Sequence, residues 1–147
     1  MAYKTRYIPE NASKYIGNPT KIICRSLWER KVCKWMDFNQ NVLRWGSEEL
    51  VVPYISPKDN KPHKYFPDFI AEVKNNDNEI ETLVIEVKPK KQTMKPAKKK
   101  STSKNFIRES ITFEINNSKW KAAENFCKNK GWKFVILTEE HIFPKSK

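Results

Sequence analysis

Apolar positions along the chain change period several times, and each change marks an element. In "RSLWERKVCKWMDF" (25–38), Trp28, Val32 and Trp35 recur at i, i+4 and i+7 with Met36 alongside, which predicts an amphipathic helix. "NVLRWGSEELVVPYIS" (41–56) predicts one or two strands, broken near Gly46 and Pro53. "PKDNKPH" (57–63) is turn chemistry. Strands are predicted at about 64–73 and 81–88, and the short polar "KNNDNE" between them suits a hairpin. Residues 105–117 have mixed periodicity and are read as helix. A second helix is predicted over 118–131, capped by Ser118 or Asn117, with a stripe of Trp120, Ala123 and Cys127 and with Gly131 at its C-terminal stop. "WKFVILT" (132–138) is a continuous apolar run, the mark of a strand covered on both faces. Residues 1–20 are polar, carry Pro9, Gly17 and Pro19, and read as an irregular arm.

The order helix, strands, basic loop, helix, strand argues for an α/β fold, a mixed sheet with helices on its faces. A length of 147 residues fits a single domain, 1–147, and 38% hydrophobic content supplies a core. No apolar run nears the roughly 20 residues that span a bilayer, and no apolar leader opens the chain, so no membrane partner is expected and the cytosol is the expected location. Cys24, Cys33 and Cys127 form no paired motif and are expected as reduced thiols; with only His63 and His141 besides, a zinc site is not expected. The charge changes the picture more. Lys and Arg number 29 against 17 Asp and Glu, a net +12, which favours a polyanion, most commonly nucleic acid. Eight of the lysines fall within 88–104, so the lysine-rich stretch 89–104 reads as a loop following a strand.

Two of the predicted strands carry charge that a buried strand should not want. "YFPDFIAEV" holds Asp68 behind a proline, and "LVIEVKPKK" holds Glu86 and Lys88. Side chains two apart on a strand share a face, so Glu86 and Lys88 project together, and hairpin pairing brings Asp68 within reach of them. Two adjacent carboxylates repel, and one would take up a proton unless a divalent cation lay between them. Mg²⁺ fits, since it binds through one or two carboxylates, water and substrate phosphate. The Val87 backbone carbonyl offers a further oxygen. Lysines that begin beside this site, Lys90, Lys91, Lys95, Lys98, Lys99 and Lys100, with Lys64 on the preceding strand, would meet phosphates and position a duplex without reading sequence. No base-reading helix is apparent, so low sequence specificity is expected.

Other residues have plainer explanations. The five tryptophans are read as core, His63 as a solvated turn residue, Glu72 as solvated, and Glu48 as an edge-strand charge, with a further acid near the site as its alternative. Ser26-Leu27-Trp28-Glu29 forms an S-x-x-E capping box, which by itself accounts for Glu29.

Pro67-Asp68 followed 18 positions after the aspartate by Glu86-Val87-Lys88 resembles the PD-(D/E)XK nuclease superfamily, whose core is restriction-endonuclease-like with the order αβββαβ. The likeness extends along nearly the whole chain to one family. "CRSLWE" (24–29), "WGSEELVVPY" (45–54), "YFPD" (65–68), "IEVKPKK" (85–91), "KWKAAE" (119–124) and "FVILTEE" (134–140) resemble, in order, the head-completion nucleases of large tailed bacteriophages. That family shares its core with the endonuclease subunit of two-part cut-and-paste transposases. Cys24 departs from the pattern, standing where an aromatic is expected. The resemblance implies a metal-dependent endodeoxyribonuclease using Mg²⁺, or Mn²⁺ in its place. It makes Asp68 and Glu86 metal ligands, Lys88 the catalytic lysine, and Glu29 a further acid that binds the ion directly or through water. It also implies action on DNA at the packaged head, in the host cytoplasm or on the virion, beside portal, neck or other head-completion proteins. Two other readings compete: a non-catalytic DNA-end or portal-binding protein on a nuclease fold, and a basic RNA-binding protein.

Overall fold

The two runs that open the chemistry form neighbouring strands of one mixed sheet. The computed structural model describes residues 4–97 and 103–144. Its main sheet contains β3 (Val42–Ser47), β6 (Phe69–Lys74), β7 (Ile80–Val87) and β8 (Lys133–Leu137) in that spatial order. β6 and β7 are an antiparallel hairpin, and β8 lies parallel to β7 after a helical crossover. Helix α1 (Leu27–Phe38) precedes β3, and α2 (Lys104–Lys130) precedes β8. The order α1-β3-β6-β7-α2-β8 is the expected αβββαβ core. A separate ribbon, β4 (Val52–Ile55) with β5 (Pro62–Tyr65), is inserted between β3 and β6. A further ribbon joins β1 (Thr5–Tyr7) to β2 (Ile22–Cys24), and a one-turn helix α3 (Glu139–Ile142) ends the described chain.

Strand alternation sorts the side chains into two layers. Odd positions Phe69, Ala71 and Ile85 face Val32, Cys33 and Met36 of α1, around the fully buried Trp45. On the other face Phe134 and Ile136 meet Trp120 and Ala123 of α2, with Val52 and Tyr65 of the ribbon. β8 is therefore covered on both sides, as its unbroken apolar run predicts.

Several expectations need correction. The run 64–73 is two strands in two different sheets, because Pro67 lacks the N–H that a continuous ladder requires, and Asp68 lies in the junction rather than on a strand. The break within 41–56 falls at 48–51 instead of at Gly46 or Pro53, which both lie inside strands. Pro53 is tolerated there because its ribbon has only two strands. Residues 104–130 form one helix, not two. Ser103 caps it through the Phe106 N–H, no proline or glycine interrupts it, and Gly131 ends it at φ +73°. The stripe on α1 is rotated: Val32, Cys33 and Met36 are buried, while Trp35 is half exposed. Trp28 and Trp132 are only partly buried. The N-terminal arm is pinned rather than loose. The buried Asp37 carboxylate accepts from the Tyr7 hydroxyl (2.7 Å) and from the Glu10 and Asn11 N–H groups (2.8 and 2.9 Å), and Lys14 Nζ caps the last carbonyls of α1. Burial pushes the Asp37 carboxyl up, but these donors outweigh it and hold it below its ordinary range.

Candidate active site

The site forms where β7 outruns β6. Phe69 opposite Ile85 is the last cross-strand pair, so the next step of the ladder sets Asp68 against Glu86. Asp68 Oδ2 accepts the Val87 N–H at 2.7 Å. The following N–H, of Lys88, turns the other way to Leu137 of β8 at 2.9 Å. N–H and C=O of a strand residue point to the same side, so the Val87 carbonyl also faces the β6 edge. The residue in register with it there is Pro67, which has no N–H to give. Two oxygen sources therefore meet beside the Glu86 carboxylate: the Asp68 side chain and a backbone carbonyl that the ladder leaves unclaimed.

Glu86 is 6% exposed and accepts a long hydrogen bond, 3.5 Å, from the Trp120 indole N–H. Burial, the charge of Glu86 and that of Glu29 together push Asp68 up to about 9, and the Val87 N–H only partly offsets them. Asp68 thus retains its proton at neutral pH. Beside Glu86 the Tyr65 hydroxyl is buried with no hydrogen bond of good geometry, and burial plus the Glu86 carboxylate push it well above the ordinary phenol range. Lys88, half-buried, directly follows β7, and strand alternation carried one step past Val87 would set it on the side of Glu86.

Glu29 completes one wall. Its N–H is capped by Ser26 Oγ at 3.1 Å, and its carboxylate accepts from the Arg25 N–H at 3.3 Å and from Ser26 Oγ at 3.4 Å. Only the Ser26 half of the expected capping box forms, since the carboxylate takes the Arg25 N–H in place of that of Ser26; burial and the nearby Glu48 charge push this carboxyl up, and its own charge reaches Asp68. Of the two readings of Glu48, strand-edge charge or acid near the site, the second fits: Glu48 stands at the rim of this site, just past β3. Its N–H donates to the Asp68 carbonyl at 3.0 Å, and its carboxylate takes Arg25 Nε (2.9 Å) and Nη2 (3.3 Å). Glu48 has φ +55°, a left-handed conformation that costs a non-glycine residue about 1 kcal/mol. The ion pair is exposed and contributes about 0–1 kcal/mol. Arg25, Tyr65 and Trp120 were not singled out from the sequence for the site, and Glu48 was weighed for it only as the second of two readings. The one available signal was that Arg25 precedes the cap and Glu48 follows Gly46.

The remaining candidates are scattered. Glu72 shares the Asp68 face but pairs with Arg44 at 3.6 Å, away from the acids. His63 is on β5 rather than in a turn, exposed and paired with Asp59 at 2.8 Å. Lys64 is exposed on β5. Lys90 and Lys91 lie in a 3-10 turn (Lys90–Thr93) rather than a loose loop. Lys90 Nζ contacts Glu140 at 2.7 Å and its N–H binds Glu139 at 2.8 Å. Lys95 is exposed, while Lys98, Lys99 and Lys100 fall outside the described residues.

The donors are all oxygen, which suits a hard cation such as Mg²⁺. Among the described residues no three Asp, Glu, His or Cys side chains form a ready ligand cluster. A site of two carboxylates and a carbonyl, open to water and phosphate, is the kind that Mg²⁺ uses. The repelling acids and the unpaired Tyr65 hydroxyl also fit an ion with its water shell.

Comparison with known proteins supplies a family. Residues 39–139 match the TnsA-like endonuclease N-terminal family. The chain is also 40% identical over 146 residues to the head completion nuclease of Enterobacteria phage T4, spanning 97% of this chain and 95% of that protein. The matched region contains Asp68, Glu86 and Lys88 together with the sheet that aligns them, and the chain belongs to the TnsA-like endonuclease family.

Proposed function

We propose that this protein is a Mg²⁺-dependent endodeoxyribonuclease of phage head completion, with Asp68, Glu86 and the Val87 carbonyl as metal ligands. The observation that carries the reading is the meeting of Asp68 and Glu86 across the ends of β6 and β7. The bound ion would polarise the scissile phosphodiester and lower the pKa of its water. The Lys88 ammonium orients that water and stabilises charge building on the phosphate. Glu29 holds a second water of the ion's shell, and the Trp120 indole fixes the Glu86 carboxylate. Lys64, Lys91 and Lys95 contact flanking phosphates, which gives low sequence specificity. The T4 relative's name refers to head completion, and by extension this chain would act on packaged DNA in the host cytoplasm, beside portal or neck proteins.

The test is incubation with plasmid and linear DNA in Mg²⁺, Mn²⁺ or EDTA, at fixed salt, beside Asp68→Ala and Lys88→Ala. Cutting in Mg²⁺ or Mn²⁺ that is lost in EDTA and in both variants supports the reading. Tight DNA binding without cutting in any metal would instead make it a DNA-end or portal-binding protein, and preference for structured RNA would make it an RNA-binding one.

A further inference from the structure

The Arg25–Glu48 pair is an odd element to build for stability. It is exposed, with the arginine side chain 54% accessible, so it holds the fold together very little. It nonetheless stands on a non-glycine residue in a left-handed conformation. Such strain collects at functional sites, where the surroundings force it. Here the forcing contact is the Glu48 N–H on the Asp68 carbonyl, which ties the strained residue to the proposed metal ligand. Arg25 is tied in turn at both ends: its backbone N–H binds Glu29, and its Nε and Nη2 bind Glu48. Of the five guanidinium N–H groups, two are used by Glu48, and the outer edge has no protein partner among the described residues. That edge has the fork geometry that matches phosphate oxygens. Charge points the same way. Glu29, Glu48, Asp68 and Glu86 crowd one end of the sheet, and an anionic phosphodiester must approach them. Cations next to these acids in the chain are Lys88, just past β7, and Arg25, just before the cap of α1.

We propose that Arg25 is a catalytic residue that grips a non-bridging oxygen of the scissile phosphate through its outer edge, with Glu48 as the residue that positions it. This rests on the metal-dependent nuclease reading above. The site thus closes on its phosphate from two sides, with Lys88 at the end of β7 and Arg25 beneath Glu48. An ammonium could not replace Arg25, because a point charge cannot hold Glu48 and a phosphate with two parallel edges.

The experiment measures single-turnover cleavage in Mg²⁺ and DNA affinity in Ca²⁺ for Arg25→Ala, Arg25→Lys, Glu48→Gln and the Asp68→Ala control. Arg25→Ala should slow cleavage by about 10²-fold, the loss typical of one transition-state donor, with affinity changed by less than about threefold. Arg25→Lys should be nearly as slow. Added guanidinium ion should restore part of the rate to Arg25→Ala and none to Asp68→Ala. Glu48→Gln should lose less than Arg25→Ala, because it keeps one acceptor for Nε. Parent-rate cutting by Arg25→Ala beside a dead Asp68→Ala would reduce Arg25 to a surface ion pair. A slow Arg25→Ala with a lowered melting temperature and no guanidinium rescue would make it structural and equally overturn the proposal. Cutting by Asp68→Ala would fault the place of Asp68 in the site, and no cutting by the parent in any metal would fault the nuclease reading and the proposal with it.

Discussion

Asp68→Asn separates the demands of folding from those of the chemistry. Asparagine keeps the carbonyl that accepts the Val87 N–H at 2.7 Å, but it removes the ionisable group that faces Glu86. In the metal-free fold Asp68 is pushed from an ordinary 3.8 up to about 9, first by burial and then by Glu86. The folded state therefore binds a proton more tightly than the unfolded chain. Stability from this group is complete below pH about 4 and is lost as pH rises toward about 9, with a slope near 1.4 kcal/mol per pH unit between them. At pH 7 the loss reaches about 4 kcal/mol at most, and relaxation of the site in solution brings the expected figure to about 2 kcal/mol. Asp68→Asn should thus be more stable than the parent by about 2 kcal/mol at pH 7 and about equal to it at pH 4.5. Urea unfolding followed by tryptophan fluorescence, in EDTA, at pH 4.5, 6 and 7.5 reads this directly. Added Mn²⁺ should raise the parent's midpoint at pH 7.5 and leave that of the variant unchanged. Parallel stability–pH curves for the two proteins in EDTA would refute the reasoning, because the acids would then not be coupled by burial.

Glu29→Gln should flatten the same pH dependence in the same sense, since burial and Glu48 hold that carboxyl up, and should slow cleavage at least about tenfold in a single-turnover assay. Asp37→Ala should cost about 3 kcal/mol by urea unfolding, because the Tyr7 hydroxyl and two N–H groups lose their acceptor. Asp37 is held low, so its contribution is present above the ordinary carboxylate range and disappears as pH falls below it. The parent and Asp37→Ala should therefore converge in acid. Pro67→Ala adds an N–H in register with the Val87 carbonyl. It should weaken Mn²⁺ binding in a calorimetric titration while the circular dichroism of the sheet is retained. Gly131→Ala meets no atom within 4 Å but forces a side chain into φ +73°, and should cost about 1 kcal/mol in thermal or urea melts.

The alternating runs and the hairpin between them were readable because β-strand periodicity is local: the residues that set it are adjacent in sequence. The same arithmetic put Glu86 and Lys88 on one face and brought Asp68 opposite. What failed were features decided between distant residues. Nothing local says that the run at 64–73 divides between two sheets, although Pro67 marks where it could. Nothing local reveals that Thr5–Tyr7 pairs with Ile22–Cys24, or that Asp37 gathers the N-terminal arm. Residues 104–130 read as two helices because their apolar positions change face midway. Ile107 and Ile111 are exposed while Trp120 and Ala123 are buried, so the change records what the helix packs against, not where it stops.

Within the site the division follows the same physics. Asp68, Glu86 and Lys88 could be found because charge in an apolar strand is costly and so informative. Arg25 could not, and Glu48 only as a second choice, because surface charge carries no such penalty and a left-handed φ leaves no trace at a glutamate. The position of the site also has a local cause. β6 stops at Phe69 because Pro67 cannot extend the ladder, yet β7 continues to Val87, held by β8. An N–H and a carbonyl of Val87 are left facing the vacated edge. The Asp68 carboxylate takes the N–H, and the carbonyl stays open next to Glu86. The proline before the aspartate is thus part of the site's construction: it creates the gap in backbone pairing that the aspartate lines, and where a cation has a use for the oxygens left over.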